Sequence, residues 1–350
     1  MALSVDVLSS YPPVQEAEVD KVLAEEIRDN EKKIVVLDDD PTGVQTVHDI
    51  SVYTNWEKAS IEQGFAEENK LFYILTNSRG FTAAQTEKAH KEIAEVVDQV
   101  AKETGKEYLF ISRSDSTLRG HYPLETTILK DEYEKNTGKK IDGEVLCPFF
   151  KEGGRFTIDD VHYVQYDDTL VPAAETEFAK DKTFGYTVSN LKEYVEEKTQ
   201  GAYKKENVTA ISLENIRELN YDKIEEQLLA VEDFNKVIVN AIDYVDVKIF
   251  CVALFRAMKK GKNFMFRTAA AIVKVMGGVS NQPLLTREQM VVKETDNGGI
   301  IVVGSHTDKT TRQMEKLREN KAIAFVELNA TLVNDEAAFA EEVERCLLLP

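Results

Sequence analysis

"KIVVLDDDPTG" (residues 33–43) runs four apolar residues into three consecutive aspartates, Asp38, Asp39 and Asp40, and then into Pro41, Thr42 and Gly43. An uninterrupted apolar run of this length reads as a strand buried on both faces, and the polar turn as the point where it leaves the sheet. Adjacent carboxylates repel one another by roughly 1 kcal/mol per neighbouring pair in water, and more where water is excluded, so the cluster calls for a positive or proton-donating partner.

The same arrangement recurs along the chain. "ISVYT" (50–54), "LFYILT" (71–76), "YLFIS" (108–112), "GEVLC" (143–147), "VTAISL" (208–213), "KVIVNAI" (236–242), "FMF" (264–266), "GIIVVG" (299–304) and "IAFVEL" (323–328) all read as short buried strands. Helical patterns lie between several of them. The clearest spans Thr82 to Gly105: Thr82 and Gln85 form a capping box, Ala89, Ile93, Val96 and Val100 make an apolar stripe, and Gly105 ends it. Strand, helix and strand at this spacing predict an α/β fold, a largely parallel sheet with helices on both faces. Polar clusters follow the runs: "DDDPTG", "TNSRG", "SRSDSTLRG", "PFFKEGGR" and "GSHT". In open α/β sheets that strand edge is where ligands bind, so the clusters are expected to line one pocket.

The chain of 350 residues, 43% hydrophobic and 30% charged, has the composition of a soluble globular protein with room for two domains. A formal charge of −19 argues against nucleic acid and anionic membranes as partners. Cys147, Cys251 and Cys346 are too far apart for a disulfide framework or a CxxC metal site. Together with an N-terminus lacking a basic segment and a long apolar one, this places the protein in a reducing cytoplasm. No stretch approaches the roughly 18 apolar residues of a membrane span. Composition shifts across residues 245–290, where "MGGVSNQPLLTREQ" precedes a fresh strand–helix pattern, "GIIVVGSHTDKTTRQMEKLREN". The organisation expected is an N-terminal extension (1–30), a ligand-binding domain (31–285) and an incomplete second α/β domain (286–350).

Several side chains carry chemistry. In "SRSDSTLRGHYPLE", Arg113, Asp115, Ser116, Thr117 and Arg119 precede a helix that Pro123 can start. Arginine grips a carboxylate through paired hydrogen bonds, while Asp, Ser and Thr suit hydroxyls, so the set fits a small hydroxylated acid. "TNSRG" adds Asn77, Ser78 and Arg79, and "KEGGRF" adds Arg155 beside two glycines. His48, His90, His121, His162 and His306 share no metal-ligand spacing, and His90 is expected to be exposed or to cap a charge. Neither a GxxxxGK[ST] loop nor GxGxxG occurs.

One enzyme class that fits Asp38, Asp40 and Thr42 is the haloacid-dehalogenase type of Mg²⁺-dependent phosphatase. There Asp38 would be the nucleophile, Asp40 the general acid and Thr76 a second-motif residue. The later lysine and the strand-terminal acidic pair of that pattern are not evident, since Asp159 and Asp160 do not end an apolar run. A solvated turn and a non-catalytic acid-binding module are the remaining alternatives.

Taken together, "LDDDPTGVQTVHDI", "ILTNSRG", "SRSDSTLRGHYPLE", "PFFKEGGRFTIDDVHYV", "ETEFAKDKTFGYTVSNLKEYVEEKTQG" and "GIIVVGSHTDKTTRQMEKL" resemble the four-carbon acid sugar kinase family over roughly residues 30 to 330. The resemblance implies a cytoplasmic two-domain kinase that phosphorylates threonate, erythronate or a 3-oxo-tetronate with ATP and Mg²⁺, and it leaves room for a homo-oligomer. It places Asp39 and Asp40 at the chemistry. Thr42, Gly43, Arg79, Asp115, Ser116, Thr117, Arg119 and Arg155 fall at the sugar acid, and Ser305 at the nucleotide. It further implies glycine-rich phosphate-binding segments after "GSHT" that this sequence does not contain, so the chain by itself is expected to bind the acid without phosphorylating it.

Overall fold

The computed structural model describes residues 1–349 apart from 292, 294–296 and 306. They form two compact units, residues 1–283 and 284–350. In the first unit the strands are β1 (Leu3–Ser4), β2 (Lys33–Asp38), β3 (Val52–Tyr53), β4 (Leu71–Leu75), β5 (Tyr108–Arg113), β6 (Gly143–Cys147), β7 (Arg155–Ile158), β8 (Val161–Tyr166), β9 (Thr169–Pro172), β10 (Thr209–Ile211), β11 (Asn235–Val239) and β12 (Phe264–Thr268). Eight of them make one sheet in the order β10-β11-β6-β12-β5-β2-β4-β3, parallel throughout.

The apolar strands are continuous because both faces are covered. Along β2, Ile34 and Val36 pack on one face with Val19 and Leu23 of helix Glu16–Asp29, Ile224 and Leu228 of Tyr221–Leu229, and Ile249 and Phe250 of Tyr244–Lys259. Val35 and Leu37 point the other way. They meet Ile61 and Phe65 of helix Lys58–Ala66, Ile93 and Val97 of Ala83–Thr104, and Leu129 of Leu124–Thr137. The capping box of Thr82 and Gln85 is formed, and Gly105 closes that helix at φ 67°. Residues 1–30, expected as an extension, belong to the unit: β1 pairs with β9, and helix Glu16–Asp29 contributes to the core.

A second sheet, β1-β9-β8-β7, is antiparallel. Its sequence signal is short: Asp159 and Asp160, at φ 48° and 67°, make the two-residue turn between β7 and β8. Two consecutive left-handed residues are what a tight hairpin needs, and Asp tolerates that conformation. Thr157 exchanges both backbone hydrogen bonds with Ala241 (3.0 and 3.1 Å), fastening this sheet beyond the end of β11.

The second unit departs from the reading of its sequence. Helices Asp308–Leu317 and Glu336–Leu347 form, but neither "GIIVVG" nor "IAFVEL" is a strand among the described residues, and Ile300 to Val303 are exposed. A strand holds only where a neighbouring strand accepts and donates its backbone hydrogen bonds, and the bonds seen at "IAFVEL" instead include a turn contact of the Ile323 amide with Asn320 O and an Arg345 side-chain contact to Glu327 O.

Thr82→Ala removes the side-chain acceptor for the Gln85 amide and should destabilise the first unit by about 1 kcal/mol in a urea titration.

Candidate functional site

The register of the large sheet aligns Leu75, Asp38, Arg113, Thr268 and Cys147 in one row at the C-terminal ends of β4, β2, β5, β12 and β6. From β2 the chain goes to β3 and β4 on one side, and from β5 onward it builds the other side, so the strand order reverses between β2 and β5. Loops diverge at such a point and leave a crevice.

The aspartates receive their positive partners from this edge. Arg113 Nη1 donates to Asp38 Oδ1 at 2.8 Å and lies 3.6 Å from Asp39 Oδ1. Arg79 grips Asp39 through Nη2 (2.7 Å) and Nε (3.1 Å), and donates from Nη1 to Asp40 Oδ2 at 2.9 Å. The Thr42 amide donates to Asp40 Oδ1 at 2.8 Å, and its hydroxyl donates to the same oxygen. Gly43 passes so close that a Cβ there would sit 1.9 Å from Asp38 Oδ2. Asp38 is thus buried, paired and covered, which does not suit the open nucleophile of the phosphatase reading.

The environments separate the three carboxyls. Burial, reinforced by Asp39, pushes Asp38 up to about 7 against the pull of Arg113. Burial also raises Asp39 despite Arg79. Asp40 is the more open one, at 23% side-chain exposure against 3% for Asp39. Burial would raise it too, but the Thr42 bonds and Arg79 outweigh that and hold it below the usual carboxylate range.

The segment after β5 forms the opposite wall. Asp115 accepts from Arg119 Nε at 2.6 Å and from the Thr117 hydroxyl. Although burial opposes it, Arg79 and Arg119 keep Asp115 ionised well below the normal range. The backbone here is pinned by side chains: His162 Nε2 lies 2.7 Å from Ser116 O, and the Tyr186 and Tyr194 hydroxyls each donate at 2.8 Å, to Thr117 O and Leu118 O. Burial lowers His162 to about 4, consistent with a neutral ring whose Nδ1 faces the Thr157 hydroxyl at 2.9 Å. Arg155, at the start of β7, donates to Gly153 O, and both it and Arg119 lie over the Phe178 ring.

Beneath lies a set the sequence reading did not assemble. Glu125 accepts from the Ser78 hydroxyl at 2.8 Å and from Arg267 Nη1 at 3.2 Å; Arg267 Nη2 donates to Arg119 O at 2.8 Å. Burial opposes its ionisation, but Arg267 and His90 hold Glu125 below its normal range. His90 is buried, not exposed, with Nδ1 2.8 Å from Thr86 O and Nε2 4.0 Å from Glu125. Gly120, at φ 115°, lets the loop pass Arg267; a Cβ there would lie 2.9 Å from Nη2. A hint was available, because Arg267 ends the apolar run "FMFRT" as Asp38 ends its own.

Asp39, Asp40, Thr42, Gly43, Arg79, Asp115, Ser116, Thr117, Arg119 and Arg155 therefore all lie in the first unit, on the loops described. Ser305 lies in the second, exposed, with Oγ 2.8 Å from Thr310 Oγ1 at the start of helix Asp308–Leu317. Among the described residues no group of three or more His, Cys, Asp or Glu could hold a metal ion, and no helix is long and apolar enough to cross a membrane.

A family model described as a sugar-binding N-terminal domain matches residues 34–276, the span that builds this edge. The chain belongs to the four-carbon acid sugar kinase family. Among solved structures it is similar to a DUF1537 protein of Bordetella bronchiseptica, a domain-swapped dimer with bound citrate: 19% identity, TM-score 0.51, covering 91% of this chain and 71% of that one. A DUF1537 protein of Haemophilus influenzae gives 18% identity and TM-score 0.48 over 81% of this chain and 65% of that one. A structure from Salmonella typhimurium LT2 gives 15% and 0.49, over 71% of this chain and 55% of that one. This member of the family thus spans between 55% and 71% of the length of these relatives. No curated protein matches it.

Asp38 carries a pH prediction. Its folded pKa is raised from 3.8 to about 7, so the stability it contributes is complete below about pH 4 and is lost as pH rises through about 7. The Tm of the wild type should fall as pH rises from about 4 to about 7, and Asp38→Asn, which keeps an acceptor for Arg113, should flatten that decline.

Proposed function

We propose that the first unit of this family member holds a four-carbon sugar acid of the threonate, erythronate or 3-oxo-tetronate type. Together with the glycine-rich phosphate-binding segments that the family resemblance implies and this sequence does not contain, it would serve an ATP-dependent kinase that transfers phosphate to an alcohol hydroxyl of that acid; by itself the chain should bind the acid and release no ADP in its presence. The observation carrying this reading is the strand-edge cluster within residues 34–276, where Arg79, Arg119 and Arg155 stand among the hydroxyl-binding Asp40, Asp115, Ser116 and Thr117. Arginines supply the forked donors a carboxylate requires, and the aspartates accept from hydroxyls. The bound citrate of the Bordetella relative, a small hydroxy acid, supports the ligand class, and its dimeric state supports a homo-oligomer. The buried free thiols Cys147 and Cys251 agree with a reducing cytoplasm.

Asp40 is assigned the acceptor hydroxyl. It is the exposed carboxylate of the three, and although its lowered pKa makes it a weaker base, it stays ionised to accept the hydrogen bond of the acceptor hydroxyl and its proton late in the transfer. Asp39, locked to both arms of Arg79, orients that guanidinium. Thr42 fixes the Asp40 rotamer, and Gly43 allows the turn to close over Asp38. Family resemblance gives the ATP phosphate contact to Ser305. The reaction's Mg²⁺ finds no cage among these residues, because each strand-end aspartate is already held by an arginine.

Calorimetry with threonate and erythronate, followed by a coupled ADP assay on the same sample, tests the reading. Saturable binding of one of these acids is expected, and binding of none would overturn it. Arg119→Lys keeps the charge but loses the fork, and should weaken acid binding by about 1–3 kcal/mol. In a complete enzyme that carries the glycine-rich segments, Asp40→Asn should leave the fold intact yet abolish ATP-dependent turnover, because an amide cannot take the proton; wild-type-like turnover in that variant would remove Asp40 from the chemistry.

A further inference from the structure

Arg155 stands apart from the other arginines of the cluster. Arg79, Arg113, Arg119 and Arg267 each pair with a carboxylate. Arg155 instead donates to the Gly153 carbonyl, and its Nε is buried without a partner among the described residues. Burial lowers its pKa against the pull of Asp115, which lies near enough to act on it without an ion pair. What it does touch is Phe178, whose ring centroid lies 5.5 Å from Arg155 Cζ and 5.0 Å from Arg119 Cζ. One ring therefore carries two guanidinium groups that repel each other, with Arg119 tied to Asp115 and Arg155 tied to no carboxylate.

Phe178 is fixed from the antiparallel sheet. It lies in the short helix Glu177–Lys180 after β9, where the neighbouring Glu177 accepts from the Tyr166 hydroxyl of β8 at 2.5 Å. The same sheet supplies Arg155 from β7, so the element the sequence reading missed delivers the cation that has no ion-paired carboxylate, and the short helix after it delivers the ring.

We propose that Phe178 is a positioning residue that holds Arg119 and Arg155 as a paired clamp for a ligand carboxylate, and so makes the site selective for the acid over its uncharged analogues. This rests on the sugar-acid reading above and adds the residue that sets selectivity. A planar guanidinium stacked on an aromatic face loses little hydration and keeps its edge donors free for a carboxylate. Asp115 and Glu177 already offset part of the charge, and Arg119 and Arg155 repel still less once a ligand anion bridges them, so Phe178 confines two cations that an added carboxylate draws together.

The test is calorimetry on the full chain with threonate and threonamide, in which an uncharged carboxamide replaces the carboxylate and one acceptor oxygen becomes an NH2 donor. Wild type should prefer threonate strongly. Phe178→Leu should weaken threonate binding about tenfold, the scale of a desolvated cation–π contact, while leaving threonamide within about twofold. Phe178→Tyr should restore the preference. Loss of both ligands in equal proportion, or an unchanged preference in Phe178→Leu, would overturn the clamp while leaving the sugar-acid reading in place. Absence of threonate and erythronate binding in the wild type would overturn both. If Phe178→Leu fails to fold, Arg155→Met reads the same ratio: a preference reduced about tenfold supports the clamp, and an unchanged one overturns it.

Discussion

Arg113 reaches from the end of β5 to Asp38 on β2 at 2.8 Å, and Arg79 closes on Asp39 with two hydrogen bonds and on Asp40 with a third. Three adjacent carboxylates at the end of a buried strand could not otherwise remain together. At an effective dielectric constant of about 20, like charges 4 Å apart repel by about 4 kcal/mol, and an opposite charge at that distance offsets as much. Arg113 ends β5 and Arg79 lies in the turn after β4, the two strands flanking β2, so charge neutralisation and strand order are one constraint. Removing either guanidinium would force its buried carboxyl to stay charged without a partner or to take up a proton, and breaking such a pair is strongly destabilising.

That constraint also sorts the aspartates by role. Asp38, covered by Gly43 and held by Arg113, is structural. Asp39 is the anchor of Arg79, and Asp40 alone faces solvent appreciably. A site that presents one ionised acceptor beside forked donors can read hydroxyl and carboxylate groups on the same small molecule, which is the chemistry proposed for this family member.

Beneath these groups, Glu125 and Arg267 link the loop after β4, the loop after β5 and the end of β12 through Ser78 and the Arg119 carbonyl. Tyr186, Tyr194 and His162 pin three successive carbonyls of the 116–118 segment. Side chains whose own positions are locked in this way can hold a ligand without reordering on binding, which reduces the entropic cost of association.

The alternation of apolar runs and helical patterns determined the parallel sheet. Runs such as "GEVLC" and "KIVVL" are too apolar to face water on either side, and the Thr82–Gln85 capping box and Gly105 mark a helix by local hydrogen bonding alone. The same local logic put four of the polar clusters on one edge, "GSHT" falling in the second unit, and named Asp39, Asp40, Arg79, Asp115, Arg119 and Arg155. Tertiary structure decided what each of them touches. Glu125, His90 and Arg267 are separated by up to 177 residues and meet only because β5, β12 and two helices converge, a consequence of strand order that no window of sequence contains. The antiparallel sheet was hidden because its decisive feature is the left-handed conformation of Asp159 and Asp160, not a hydrophobic period. "GIIVVG" illustrates the converse: its composition favours a strand, yet strand formation is a property of a pair, and apolar residues do not become one where no neighbour completes their hydrogen bonds.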